Sequence, residues 1–131
     1  MSYGHAAATY REREVLTASP VRLVVIMYDH LLANLRRAQM AADSDNVELY
    51  ADALNRARDT VMELLVTIDT DSGGEIARQL RWLYTFLLGE FFELIITVDA
   101  KRIDRLAGIV TELRTAFAAI SSEPPSRGPA A

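Results

Sequence analysis

The fold class this sequence predicts is all-α: an antiparallel up-down four-helix bundle with a short N-terminal arm and a disordered C-terminal tail. Three observations predict it. Apolar residues recur every three or four positions in four stretches of about twenty residues, the period of a helix with one buried face. Short turns rich in Asp, Ser, Asn and Gly separate these stretches, which makes successive helices antiparallel neighbours, each roughly 30 Å long. No stretch alternates apolar and polar residues as a half-buried strand does. With 131 residues and no cysteine, the chain can bury roughly two-thirds of its unfolded surface, so one domain holds without metal or disulfide.

Residues 1–16 read as a mobile arm. Ala6 to Glu14 favours helix locally, but an isolated helix of that length is marginal, and Tyr10, Val15 and Leu16 give it only a sparse apolar edge. The bundle domain spans 17–120. Ser19 is placed to accept a hydrogen bond from a free N–H of the first turn, and Pro20 suits the first helical position, where its missing N–H is no loss. Leu23, Met27 and Leu31 then stack one above another beside Val24, Tyr28 and Leu35, and this helix runs to about Ala42.

Asp43 to Asn46 is the first turn, and Asp45 with Glu48 has the spacing of a capping box for the second helix. That helix carries Leu54, Ala57, Val61, Leu64 and Ile68 on one face, with Asp52, Arg56, Asp59 and Glu63 mostly on the other. After the linker Asp69–Gly74, Ser72 and Glu75 repeat the capping-box spacing. The third helix extends to about Val98 with a stripe of Ile76, Leu80, Leu83, Tyr84, Leu87, Phe91, Leu94, Ile95 and Val98. Trp82, Phe86, Phe92 and Ile96 fall off that stripe, so this helix is apolar nearly all round. Asp99 is placed to cap the fourth helix, whose face is Ile103, Leu106, Val110, Leu113, Phe117 and Ile120. The tail, 121–131, holds three of the four prolines and is expected to be disordered.

Composition excludes several function classes. Without cysteine there is no thiol catalysis and no thiolate metal site. The two histidines, His5 and His30, neither share a helix at metal spacing nor follow a glutamate by three, so a di-iron or zinc site is not expected. No cofactor is expected: Gly73-Gly74 reads as a turn rather than a phosphate loop. The net charge is −4, and nine acidic against two basic residues lie between Asp43 and Glu75. No basic stripe interleaves with aromatics, which argues against nucleic acid. The apolar run Trp82–Val98 contains Glu90 and Glu93, the mark of a buried helix rather than a membrane span, and the N-terminus shows no signal-peptide pattern. No enzyme chemistry is expected.

Tyr10-x4-Val15-x-Thr17-Ala18-Ser19-Pro20-x2-Leu23, followed by Met27-Tyr28-Asp29, resembles the signature of the flagellar secretion chaperone family FliS. Later blocks continue the resemblance: Ala57-x-Asp59-x-Val61-x-Glu63-Leu64 with Ile68-Asp69, then Gly73-Gly74-Glu75-Ile76-Ala77-x2-Leu80-x2-Leu83-Tyr84, then Asp99 and Glu112-Leu113-Arg114. It spans about residues 10–117. The chain departs from the family at His30, where glycine is usual, at Leu94-Ile95, where Ala-Asn is usual, and at Phe117, where tryptophan is frequent.

The resemblance implies a bacterial cytosolic chaperone that binds the C-terminal segment of flagellin. The segment is disordered when free and forms helices as it wraps the bundle. Binding blocks premature filament assembly and keeps the client ready for the flagellar export gate. It also implies an arm that covers part of the client surface and moves aside. On this reading Tyr10 anchors the arm, Ser19 and Pro20 set the first helix, and Leu23, Met27, Tyr28, Trp82 and Phe86 line the flagellin groove. Asp29, Asp59 and Glu63 supply polar contacts to the client.

Two other readings stay open on the residues alone. One is a histidine phosphotransfer module with His30 as acceptor, although the lysine that such a motif wants is replaced by Asn34 and the more distant Arg36 and Arg37. The other is a structural dimer whose subunit interface is the surplus apolar surface of the third helix. Monomer or weak homodimer is the expected state.

Overall fold

A computed structural model of the chain describes residues 19–68 and 73–122. It contains four helices: α1 Pro20–Asp43, α2 Val47–Thr67, α3 Gly74–Ile96 and α4 Ala100–Ser122. The arm 1–16, Ser72 and most of the tail lie outside the described residues. Each helix starts for a local reason. Ser19 Oγ accepts from the Arg22 N–H at 3.1 Å with Pro20 at the first position, as expected. Asp99 Oδ1 accepts from the Arg102 N–H at 3.1 Å and opens α4, again as expected.

The first turn differs from the expected capping box. Asp45 adopts a left-handed conformation, φ +55°, which an aspartate tolerates better than most residues. Its N–H donates to the Ala42 carbonyl, and the Asn46 N–H donates to the Ala41 carbonyl. These are the two bonds that close a helix C-terminus. Asn46, not Asp45, then caps α2, its Oδ1 accepting from the Leu49 N–H at 3.1 Å. Gly73 holds the cap position of α3 without a side-chain bond, and Glu75 engages Arg78 and Gln79 instead. Gly74 has φ +58°, a conformation that favours glycine.

The core is built of aliphatic, phenylalanine and tyrosine side chains, with no buried charged side chain among the described residues. α1 lies closest to α2 and α4, and α2 to α3. The α1–α4 pair is antiparallel: Gln39 near the end of α1 donates to the Ala100 carbonyl at the start of α4, and Arg114 pairs with Asp29. α1 and α3 meet through the hydroxyls of Tyr28 and Tyr84, 2.6 Å apart. α2 holds the far end of α3 through the Tyr50 hydroxyl, which donates to the Leu94 carbonyl at 2.6 Å. α3 and α4 are clamped by Arg102, which donates to both carboxylate oxygens of Glu90 at 2.8 and 2.6 Å and reaches Glu93 at 3.2 Å.

The expected face of α2 is buried, with Ile68 half-buried. On α3 the buried stripe is narrower than expected: Ala77, Tyr84, Leu87, Phe91 and Leu94. Ile76, Ile95 and Val98, expected in the core, are exposed: Ile76 and Ile95 lie one position off the buried Ala77 and Leu94, and Val98 follows the end of the helix. Ile120, near the end of α4, is exposed as well, and α4 continues two residues past the expected start of the tail.

Candidate functional site

Two apolar hollows lie at opposite ends of the bundle. The first, about 240 Å³, is lined by Val24 of α1, Thr67 and Ile68 at the end of α2, Gly73, Ile76, Ala77, Leu80 and Tyr84 at the start of α3, and Phe117 near the end of α4. All four helices contribute there, α1 and α3 near their starts and α2 and α4 near their ends. The second, about 200 Å³, lies between the α1–α2 turn and the end of α3, where Ala42, Val47, Tyr50, Ile95 and Val98 contribute.

The wall of the first hollow is rigidified from behind. Tyr28 is fully buried, its ring edge-on to Phe117 with centroids 5.6 Å apart, and its hydroxyl meets that of Tyr84, a lining residue. Burial pushes both phenols above the ordinary tyrosine range, and the bond to Tyr84 raises Tyr28 further. Both therefore stay neutral and hydrogen-bonded at any physiological pH. A neutral aromatic wall around a half-open hollow has no acid, base or nucleophile to offer, but it suits the apolar side of an amphipathic peptide.

The expected groove residues do not gather at one place. Tyr28 exposes no surface and stands behind the hollow. Leu23 and Met27 are half-buried on α1 and line neither hollow. Trp82 and Phe86 lie on the outer side of α3, 68% and 37% exposed, their rings stacked at 5.7 Å. Tyr10 lies outside the described residues. Asp29 is tied to Arg114 across the α1–α4 seam. Asp59 and Glu63 are exposed on α2, with Asp59 beside Arg58 at 3.2 Å. Val24, Ile68, Ile76, Leu80 and Phe117, which line the first hollow, read in the sequence as plain core positions. Their nearness to helix ends was the available signal.

Nothing among the described residues gathers His, Asp and Glu as a metal site would, and no described helix is long and apolar enough to cross a membrane. His30 is exposed on α1, its carbonyl accepting from the Asn34 side-chain amide.

The family profile described as "Flagellar protein FliS" matches residues 3–124. The chain belongs to the FliS family. Its relatives include the flagellar secretion chaperone FliS of Salmonella typhimurium, 28% identical over 84% of this chain and 82% of that protein. The FliS of Bacillus subtilis is 26% identical over 94% of this chain and 92% of that protein. A solved structure titled as a flagellar chaperone from bacteria superposes with a TM-score of 0.74 over 89% of this chain and 99% of the other, at 16% identity, a likeness of fold. FliS is a family of chaperones, not of enzymes, which sets aside the phosphotransfer reading of His30.

Proposed function

We propose that this chain is a cytosolic flagellar export chaperone that holds the C-terminal segment of flagellin. It prevents premature polymerisation and keeps the client competent for the flagellar export machinery. The observation that carries the reading is the pair of apolar hollows at opposite ends of the bundle. A folded client would engage one patch, whereas an extended segment that folds on contact can reach both. Client helices would seat apolar side chains at i, i+3 and i+4 spacing against Val24, Ile68, Ile76, Leu80 and Phe117, with Leu23 and Met27 beside them. Tyr28 serves through Tyr84, by fixing the wall. Tyr10 on the arm covers this surface until the client arrives. Asp29, Asp59 and Glu63 lie within reach of a client that crosses α1 and α2.

Seeded growth of flagellin filaments tests this. Adding the chain in equal amount to monomeric flagellin should halt elongation, and Leu80→Glu should abolish that effect while the chain remains helical. Unchanged elongation with the intact chain would remove the proposal.

A further inference from the structure

We infer that the Tyr84 hydroxyl donates a hydrogen bond to a neutral acceptor side chain of the bound segment, one Ser, Thr, Asn or Gln set within its apolar face. This contact deepens the function proposed above and rests on it.

A count of protons leads to it. Each neutral phenol carries one hydroxyl proton. The oxygens of Tyr28 and Tyr84 stand 2.6 Å apart, and one proton lies between them. The second proton has no acceptor among the described residues. Both side chains are buried, 0% and 2% exposed, so bulk water does not take it. A buried O–H without an acceptor is costly, and folded proteins rarely leave one.

The surroundings decide which residue holds the spare proton. Tyr28 stands off the first hollow with its ring edge-on to Phe117, whereas Tyr84 lines the hollow. Tyr28 therefore donates, Tyr84 accepts, and the Tyr84 O–H turns to the open space beside it.

The hollow supplies no acceptor of its own. Apart from Tyr84, Thr67 and the Gly73 backbone, its described lining is aliphatic or phenylalanine. The Thr67 hydroxyl donates to the Leu64 carbonyl at 2.7 Å, and the Gly73 carbonyl accepts from the Ala77 N–H. Neither bonds to Tyr84. At about 240 Å³ the space far exceeds the ~30 Å³ share of one water, so it admits a side chain.

The chemistry of that side chain follows by elimination. Carbonyls inside a client helix are already paired within it. A carboxylate is strongly disfavoured in an apolar space whose described lining holds no cation. A hydroxyl or carboxamide oxygen remains. The contact confers selectivity, because a segment that is purely apolar at this point leaves the Tyr84 proton unpaired.

Calorimetric titration with the C-terminal segment of flagellin from the same organism tests this, with thermal unfolding run on every variant. Tyr84→Phe should bind about tenfold more weakly, the worth of one buried hydrogen bond. Tyr28→Phe breaks the same hydroxyl pair and should weaken binding less, because the Tyr84 proton survives. The double variant should regain part of the stability that Tyr84→Phe loses and still bind as weakly as Tyr84→Phe. A wall-fixing role alone would return affinity together with stability. Replacing each Ser, Thr, Asn and Gln of the segment by alanine should find one whose loss costs about tenfold against the intact chain and nothing against Tyr84→Phe.

Three results would overturn the inference alone. One is a Tyr84→Phe chain that binds as tightly as the intact one, which would leave the hydroxyl to water. A second is a double variant that recovers affinity along with stability. A third is a segment in which no replaced side chain couples to Tyr84. An intact chain that does not bind the segment would remove the proposed function and this contact with it.

Discussion

α2 and α3 are nearly equal in length, and each buries one apolar stripe, yet they present opposite surfaces to solvent. α2 buries Tyr50, Ala53, Leu54, Ala57, Val61 and Leu64 and turns Asp52, Arg56, Arg58, Asp59 and Glu63 outward. α3 buries Ala77, Tyr84, Leu87, Phe91 and Leu94 and turns Trp82, Phe86, Phe92 and Ile96 outward. A bundle needs one stripe per helix, and the outer side of α2 between Asp52 and Glu63 is charged apart from Met62, with Val47 and Val66 exposed at its two ends. What α3 carries beyond its stripe contributes nothing to the described core. Exposed apolar surface of that extent marks interaction.

Neighbouring residues on α3 make the sharpest cut through this difference. Phe91 is 1% exposed and Phe92 is 67% exposed. Phe91→Ala should lower stability by about 3–5 kcal/mol, the range for a buried aromatic, while Phe92→Ala should stay within about 0.5 kcal/mol. Denaturant unfolding of the two variants checks this, and equal losses would erase the inner–outer distinction.

The next effect in size concerns how α3 is held at its inner face. Tyr84→Phe leaves the Tyr28 hydroxyl buried without its partner and should lower stability by about 1–3 kcal/mol. Adding Tyr28→Phe should recover part of that loss, a coupling that a double-mutant cycle reads. The two raised phenols also set an alkaline limit. Their stabilising neutral form is fully present below the ordinary tyrosine pKa of about 10 and is lost as pH climbs toward the raised folded-state value.

α2 depends on its cap. Asn46→Ala should lower stability by about 1 kcal/mol, whereas Asp45→Gly should be neutral or better, because glycine accepts φ +55° more readily than aspartate. Thermal unfolding separates the two. The reverse order would mean that the capping-box reading of Asp45 was correct after all.

The smallest effect is at the α3–α4 corner. The hydrogen bonds from Arg102 hold the Glu90 carboxyl below the usual carboxylate range. A carboxylate depressed in the folded state stabilises above its ordinary pKa, about 4.3, and that stabilisation fades as pH falls through the lowered value. Glu90→Gln should therefore flatten the acid side of the stability profile and leave its alkaline side alone.

Most of the fold was legible in the sequence where one local interaction decides the structure. Ser19-Pro20 and Asp99 cap as their residue types suggest, because the hydrogen bond closes within three residues. The buried face of α2 was legible because charges occupy its other side and fix the phase. The phase of α3 was not: a helix apolar nearly all round has no polar side to orient it, and only packing against Tyr28 and Tyr50 decides that Tyr84 and Leu94 point inward. Asp45 was misplaced because the closing turn of α1 claims it before α2 begins, a tertiary consequence of two helices sharing three residues. The resemblance to the family was legible in Thr17-Ala18-Ser19-Pro20 and the later blocks. The candidate site was legible only in part, since Val24, Ile68 and Phe117 have core spacing, and only the structure shows them half-buried around a hollow at the end of the bundle.

The central claim is that apolar surface left over from folding receives a segment that folds as it binds. Calorimetric titration of the full chain with the C-terminal segment of flagellin from the same organism, repeated at several temperatures, tests it most directly. The account predicts saturable binding near one to one, a large negative heat-capacity change, and loss of binding in Leu80→Glu. Absence of binding to the folded chain, both with residues 1–16 present and after their removal, would contradict it.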